Sequence, residues 1–219
     1  MTVATEFHPA RSPSQKTLRR RINNYSIYRT VRRAIRDCNV KGPVLLAPCG
    51  YGWFFERYQK DHIEFVGIDI DTETVKHART AIQPEPRIVE GSILAMPFKD
   101  DEFEFIVNNR FLLHFDDEFR AKSLRELARV TRRYLLVHYD TLSIRQMLRK
   151  LRGAKKDDRK VEVIDGWRKT QRKKRKILFD RKMMEAEGAP AGFRVKELYY
   201  VFPLLSDRVY CLYEKVKRD

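Results

Sequence analysis

The sequence predicts an α/β fold: a mostly parallel sheet with helices on both faces, closed by an antiparallel C-terminal strand. Three observations carry that reading. Short apolar runs alternate with stretches of helical period from residue 44 to residue 140. The runs are apolar throughout, as strands covered on both faces are. Two further strand-like runs, residues 193–201 and 209–215, are joined by FPLLSD and read as an antiparallel pair.

The elements follow in order. At residues 12–15, SPSQ supplies Ser12 as N-cap, Pro13 in the first turn and Gln15 at the capping-box position. Leu18, Ile22, Tyr25, Tyr28, Val31 and Ile35 then recur at helical spacing, up to Gly42-Pro43. Residues 44–47 read as a strand, 53–59 as a helix and 64–68 as a strand. Asp71 caps a helix to about Ile82. Residues 87–90 and 103–107 read as strands, and Asp116 or Asp117 opens a helix to about Val130. Residues 134–138 form another strand. Residues 141–152 read as a basic amphipathic helix with Leu142, Met147, Leu148 and Leu151 on one face. Residues 153–179, with the run RKTQRKKRK, read as helical with a weak apolar face. Asp180 caps a short helix to about Glu187, and residues 188–192 form a turn. The domain reading is a basic helical extension over 1–40 and one main domain over 41–219, carrying a basic helical insertion at about 141–188.

A chain of 219 residues with 42 % hydrophobic content can bury a real core. No apolar run approaches the roughly 20 residues of a membrane span, and the first fifteen residues lack the apolar stretch of a secretory signal. Cys38, Cys49 and Cys211 have neither CxxC nor His spacing, which argues against a disulfide framework or a zinc site, so no metal is expected. The expected location is cytoplasmic, either free or peripheral at the inner face of the membrane. The net charge of +16 is segregated. Residues 1–40 carry nine Lys/Arg against Glu6 and Asp37, a net +7. Residues 41–144 are net −3, and residues 145–182, with 17 basic and five acidic side chains, are net +12. Such separation reads either as a surface for an anionic partner or as solvated helix faces.

The stretch VLLAPCGYG, residues 44–52, is a strand ending in a Gly-x-Gly turn, and the next strand stops at Asp69. Gly50 and Gly52 let backbone approach a ligand closely. An acidic residue about 20 positions further on can accept both hydroxyls of a ribose. That is the arrangement of a nucleoside-binding βαβ unit.

Taken in order, VLLAPCGYG, FVGIDID, GSILAMPFKDDEFEFIVNNRFLLHF and LRELARVTRRYLLVHY resemble the class I S-adenosylmethionine-dependent methyltransferases, especially the quinone-biosynthesis group. The resemblance covers roughly residues 40–140, and the closing strand pair also fits. It implies a Rossmann-like methyltransferase sheet with S-adenosyl-L-methionine as cofactor. By that resemblance Cys49, Gly50, Tyr51 and Gly52 lie against the methionine end, Asp69 holds the ribose and Ile70 flanks the adenine. Ser92 and Ile93 lie near the adenine ring, and residues 108–114, beginning at Asn108, floor the site of transfer. The sequence departs from the family pattern at three points. Leu46 stands where an acidic residue usually holds the methionine amino group, Pro48 replaces the first glycine, and Ser92 replaces an adenine-contacting acid.

Methyl transfer needs alignment and a deprotonated nucleophile. In open α/β sheets ligands bind at the carboxyl ends of the strands. His114 and His138 are therefore the candidate catalytic residues, and Arg110, Tyr139 and Tyr28 the candidate acceptor contacts. Arg110 suits a carboxylate or phosphate. The expected function is methylation of a small or lipid-linked anionic acceptor, such as a phosphorylated saccharide, glycolipid or quinone-type precursor. The alternative is a non-catalytic methyltransferase-like module that uses its basic segments on nucleic acid or an anionic membrane. Residues 145–182 have little aromatic interleaving, so base stacking ranks below membrane contact. A nicotinamide-dependent oxidoreductase is disfavoured by the motif after the third strand.

Overall fold

The computed structural model describes residues 18–52, 55, 63–82, 86–142, 161–165, 168–172, 177–202 and 206–216. Along the chain run α1 (Leu18–Asp37), β1 (Val44–Leu46), β2 (Phe65–Asp69), α2 (Thr72–Ala81), β3 (Arg87–Glu90), β4 (Phe103–Asn108), α3 (Asp117–Val130), β5 (Thr131–Asp140), β6 (Val161–Asp165), β7 (Arg168–Arg172), α4 (Arg181–Gly188), β8 (Phe193–Tyr200) and β9 (Arg208–Lys215). Short 3-10 turns occupy Leu112–His114 and Ala189–Ala191.

Seven strands form one sheet in the order β3-β2-β1-β4-β5-β9-β8. β1 lies at its centre, Val44 standing beside Phe65 on one side and Phe105 on the other, both pairings parallel. β9 is antiparallel to β5 and to β8. The closing pair expected from the sequence is therefore present, and β9 is the reversed strand. The apolar runs are covered on both faces. Alternate residues such as Val44, Leu46, Phe105, Val107 and Leu136 pack with Ile27, Val31 and Ile35 of α1 and with Val75 and Ala78 of α2. Leu45, Ile68, Ile106, Leu135 and Val137 pack on the other face with Leu124 and Leu127 of α3 and Met184 of α4.

Three aspartates start helices as the sequence predicts. Asp71 accepts from the N–H groups of Glu73 and Thr74, Asp116 from that of Phe119, and Asp180 from that of Met183. Each bond satisfies a backbone donor the first helical turn leaves open. One region differs from expectation. Part of the segment read as helical over 153–179 instead forms an antiparallel hairpin, Val161 pairing with Arg172 and Asp165 with Arg168. The β-branched residues of VEVID disfavour helix, and in alternation they suit a strand. The expected helix start at residues 12–15, the helix over 53–59 apart from Phe55, and the helix over 141–152 beyond Leu142 lie outside the described residues.

A polar network crosses the second face. The Arg120 guanidinium, on α3, donates to Glu187 of α4, to the Phe115 carbonyl at 2.8 Å and to Asp117 at 2.7 Å. Glu187 also accepts from the Tyr139 hydroxyl, which lies 2.9 Å from that of Tyr213. Burial pushes the Tyr139 hydroxyl well up, with the neighbouring Tyr213 and Glu187 adding to it, so it stays a donor. Removing one partner of such a pair strands the other charge in the core. Arg120→Met is expected to lower unfolding free energy by about 3–5 kcal/mol, and the double variant Arg120→Met/Glu187→Met to recover most of that loss. Urea titrations check this; equal losses in the two variants would show that the ion pair itself is not what matters.

Candidate functional site

The loop after β1 is tied to both neighbouring strands. The Ala47 N–H donates to the Val107 carbonyl at 3.0 Å and the Cys49 N–H to the Ile68 carbonyl at 2.8 Å. The Ala47–Pro48 peptide is cis. Gly50 and Gly52 both take positive φ, 55° and 71°, where a side chain is strained. The two glycines do different jobs. A Cβ on Gly52 would stand 2.5 Å from Ile82 Cδ1, so Gly52 lets the loop pack on α2. A Cβ on Gly50 would meet nothing within 4 Å. Space is open beside Gly50, where a ligand can approach the loop's backbone.

Asp69 closes this corner. One carboxylate oxygen accepts from the Gly50 N–H at 2.9 Å and the other from the Asp71 N–H at 3.2 Å. The residue is 9 % exposed. Burial raises its pKa, and the backbone donors of Asp71 and Gly50 offset this in part. An ionised carboxylate offers about four acceptor positions. The backbone N–H groups of Gly50, Asp71 and Ile70 act on this one, and a carboxylate at this place suits the paired hydroxyls of a ribose.

Asn108, at the end of β4, is fully buried. Its amide donates to the Ala47 carbonyl at 2.7 Å and its oxygen accepts from the Leu112 N–H at 3.4 Å. It clamps the strand ends together rather than presenting a free amide. The other cofactor-side positions divide. Tyr51 sets its ring edge-on against His77, centroids 5.1 Å apart. Ile70 is half-buried. Ile93 is buried among Ile68 and Met96. The Ser92 hydroxyl accepts from the Leu94 N–H at 3.2 Å within its own turn. Cys49 turns inward: its side chain lies near the point where a Cβ on Gly67 would stand, and burial drives its thiol far up. Its backbone, not its sulfur, belongs to the loop. Leu46 is buried in the core with Val44 and Phe105.

A second polar cluster stands at the ends of β4, β5 and β9. His138 pairs in register with Tyr210, and their ring centroids are 5.1 Å apart. The Tyr210 hydroxyl donates to Asn109 Oδ1. Arg208 lies two residues earlier on the same face of β9 and donates to Asn23 Oδ1 of α1. Burial pushes the Tyr210 hydroxyl up, while the positive charges of Arg110 and then Arg208 pull it down. Arg110 itself is exposed, with φ of 56°. His114 is exposed on its 3-10 turn. Tyr28 is half-buried against the α1 side of the core. Tyr139 requires a correction. It is fully buried on the opposite face, with its hydroxyl held by Glu187 and Tyr213, so it does not contact an acceptor. Successive residues of a strand point to opposite faces, and His138 takes the face of α1. Sequence reasoning missed Tyr210, Arg208 and Asn23. An antiparallel partner for β5 carries its first residues to β5's last ones, and that signal would have found the first two.

The arrangement joins an open glycine loop, a buried carboxylate and a cationic polar wall. A methyltransferase-domain profile matches residues 45–134. No curated protein sequence matches the chain. Among solved structures, magnesium protoporphyrin IX methyltransferase from Synechocystis PCC 6803 with bound SAH is 14 % identical over 93 % of this chain and 90 % of that one, with a TM-score of 0.65. The PH0226 protein of Pyrococcus horikoshii OT3 is 18 % identical over 88 % and 91 %, with a TM-score of 0.63. Human N-acetylserotonin methyltransferase in complex with SAM is 14 % identical over 89 % of this chain and 52 % of that one, again with a TM-score of 0.63. At these identities the structures establish the fold. Residues 45–134 match a methyltransferase domain, and the sheet that carries them is of the Rossmann-like methyltransferase type.

Proposed function

We propose that the enzyme methylates an anionic acceptor, small or lipid-linked, that carries a carboxylate or phosphate. The observation that carries this reading is the cluster of Asn109, Arg110, His138, Arg208 and Tyr210 at the strand ends. The neighbours' named acceptors, magnesium protoporphyrin IX and N-acetylserotonin, differ so widely that the fold does not choose the acceptor. Specificity has to come from the residues on the acceptor side. Guanidinium groups bind carboxylate and phosphate through paired charge-assisted hydrogen bonds, and two of them act on one hydroxyl here.

S-adenosylmethionine supplies an electrophilic methyl group when bound. Gly50 would admit the cofactor to the loop's backbone, and Asp69 would take its ribose hydroxyls. Tyr51, Ile70 and Ile93 would flank it, with Asn108 holding the loop in register. Arg110 and Arg208 would draw in and orient the acceptor's anionic group. His138, on the inner wall beside Tyr210, is placed to take a proton if the acceptor atom carries one. His114, on the exposed side of its turn, is the weaker candidate.

Calorimetric titration of S-adenosylmethionine and S-adenosylhomocysteine tests the cofactor half. Asp69→Ala is expected to weaken both about 10–100-fold, the worth of charge-assisted hydrogen bonds. Only the ionised carboxylate accepts both hydroxyls, and burial has raised its pKa. Affinity is therefore present at high pH and lost as pH falls through that raised pKa, above the usual aspartate value of about 3.9. Asp69→Asn should remove this pH dependence; an unchanged profile would remove Asp69 from the ribose site. Gly50→Ala should cost only the roughly 1–2 kcal/mol of a strained φ in stability, yet block the cofactor. Gly52→Ala, which collides with Ile82, should lower the melting temperature more.

Methyl transfer from labelled cofactor to a panel of carboxylated and phosphorylated acceptors tests the other half. Arg110→Gln and Arg208→Gln are each expected to raise acceptor KM about tenfold while leaving cofactor affinity unchanged. A neutral acceptor preferred by the wild type, with no response to either change, would sink the anionic reading. Failure to bind either cofactor form would turn attention to the non-catalytic alternative.

A further inference from the structure

α1 turns a row of side chains toward the sheet. Ile27, Val31 and Ala34 recur at helical spacing, and all three are buried. Carried back by one turn, the row reaches Asn23. Here the periodicity calls for an apolar residue, and the chain places a half-buried amide. Asparagine is also a poor choice for a helix interior, because its side chain competes for backbone hydrogen bonds. Tyr210 packs in the same apolar cluster as Ile27 and Val31. At the edge of that cluster Asn23 Oδ1 accepts from the Arg208 guanidinium.

This bond completes the fixing of Arg208. Its backbone N–H donates to Ser206 Oγ at 3.1 Å, and its carbonyl accepts from the Val201 N–H at 3.2 Å. Only the side chain remains to be placed. A guanidinium on a long stem has many rotamers to lose when it binds a ligand, and an anchor that removes them beforehand favours binding. The anchor is also neutral. Arg120 lies against Asp117 and Glu187, Arg129 against Asp100 and Glu126, and Arg194 against Glu214. Asp140 is the cross-strand neighbour of Arg208, yet the guanidinium bonds the Asn23 amide. An amide oxygen accepts a hydrogen bond without carrying a charge of its own. The positive charge of Arg208 still reaches the Tyr210 hydroxyl, as that of Arg110 does.

We infer that Asn23 is a positioning residue for the acceptor: from α1 it sets the direction of the Arg208 guanidinium and, being neutral, leaves that charge to an incoming carboxylate or phosphate. The inference rests on the reading of Arg208 as an acceptor contact. It gives α1 a part in selecting the acceptor, through one side chain. The guanidinium fork has several N–H donors, so one donated to Asn23 leaves others for a bidentate pair with an anion. Aspartate at this position would hold Arg208 but answer its charge. Alanine would leave the charge but release the side chain. The two substitutions therefore separate position from charge.

The test is nuclear magnetic resonance of the full-length protein with isotopically labelled arginine, the Arg208 Nε–Hε signal being the one that Arg208→Gln removes. Its relaxation is expected to report a rigid side chain in the wild type and in Asn23→Asp, and a mobile one in Asn23→Ala. Inorganic phosphate, titrated into each protein, is expected to bind Asn23→Ala about three- to tenfold more weakly than the wild type, and Asn23→Asp more than about tenfold more weakly. In the Arg208→Gln background Asn23→Ala should change phosphate affinity by less than about twofold, whereas a loss through a weakened helix would appear in both backgrounds. Asn24→Ala, roughly 100° round the helix from Asn23, should match the wild type. An Arg208 signal equally rigid in Asn23→Ala, or phosphate affinity that Arg208→Gln lowers and Asn23→Asp does not, would overturn the proposal and leave the anionic-acceptor reading standing. Phosphate affinity unaltered by Arg208→Gln would remove that reading, and this inference with it.

Discussion

Two backbone N–H groups, from Gly50 and Asp71, converge on the carboxylate of Asp69. One belongs to the loop after β1 and the other to the start of α2, so a single side chain fixes where the two segments sit. Burying a carboxylate costs several kcal/mol even after relaxation, and hydrogen bonds to a charged group return about 1.5–3 kcal/mol each. The direction of the Asp69 shift shows that burial outweighs the donors. The corner is therefore held together by a carboxylate whose charge is costly to bury. Further hydroxyl donors from a ligand would offset part of that cost. Asn108 does the neutral version of the same work one strand over, joining the Ala47 carbonyl to the Leu112 N–H. Between them the two side chains tie together the carboxyl ends of β2, β1 and β4.

Much of this was legible in the sequence, for physical reasons that can be named. β1, β2, β4, β5 and β9 are runs buried on both faces, and continuous apolarity is a strong local signal. Asp71, Asp116 and Asp180 each precede a helix they cap, because the capping bond is made within three residues. Asp69 was found by its spacing from Gly50, which a βαβ unit imposes. What escaped depends on distant partners. Tyr139 sits next to His138, and polarity alone cannot say which of two neighbours faces a site. Glu187, 48 residues away, settles it by taking the Tyr139 hydroxyl. The hairpin of β6 and β7 lies in a stretch too polar for its strand period to stand out, and its partners become evident only in the pairing of Val161 with Arg172.

The acceptor wall escaped for a topological reason that also explains its chemistry. In a wholly parallel sheet every strand would offer only its carboxyl end to the site. β9 runs the other way, so its first residues, Arg208 and Tyr210, arrive beside the last residues of β5, Asp140 and His138. Reversal of one strand thus imports two side chains that no reading of parallel strand ends would select. It also imports positive charge. Residues 41–144, which build the cofactor corner, are net −3, and Asp69 sits in their floor. An anionic acceptor entering on that side alone would meet repulsion poorly screened within a cleft, since screening takes about 8–10 Å of salt solution. The charges of Arg110, just past β4, and of Arg208, at the start of β9, both bear on the Tyr210 hydroxyl. They give this end of the sheet the opposite sign, and Arg208 is tied to α1 through Asn23. The division follows from the strand directions: parallel strands carry Asp69 and the glycine loop, and the one antiparallel strand of the seven-stranded sheet brings Arg208 and Tyr210 to the same end.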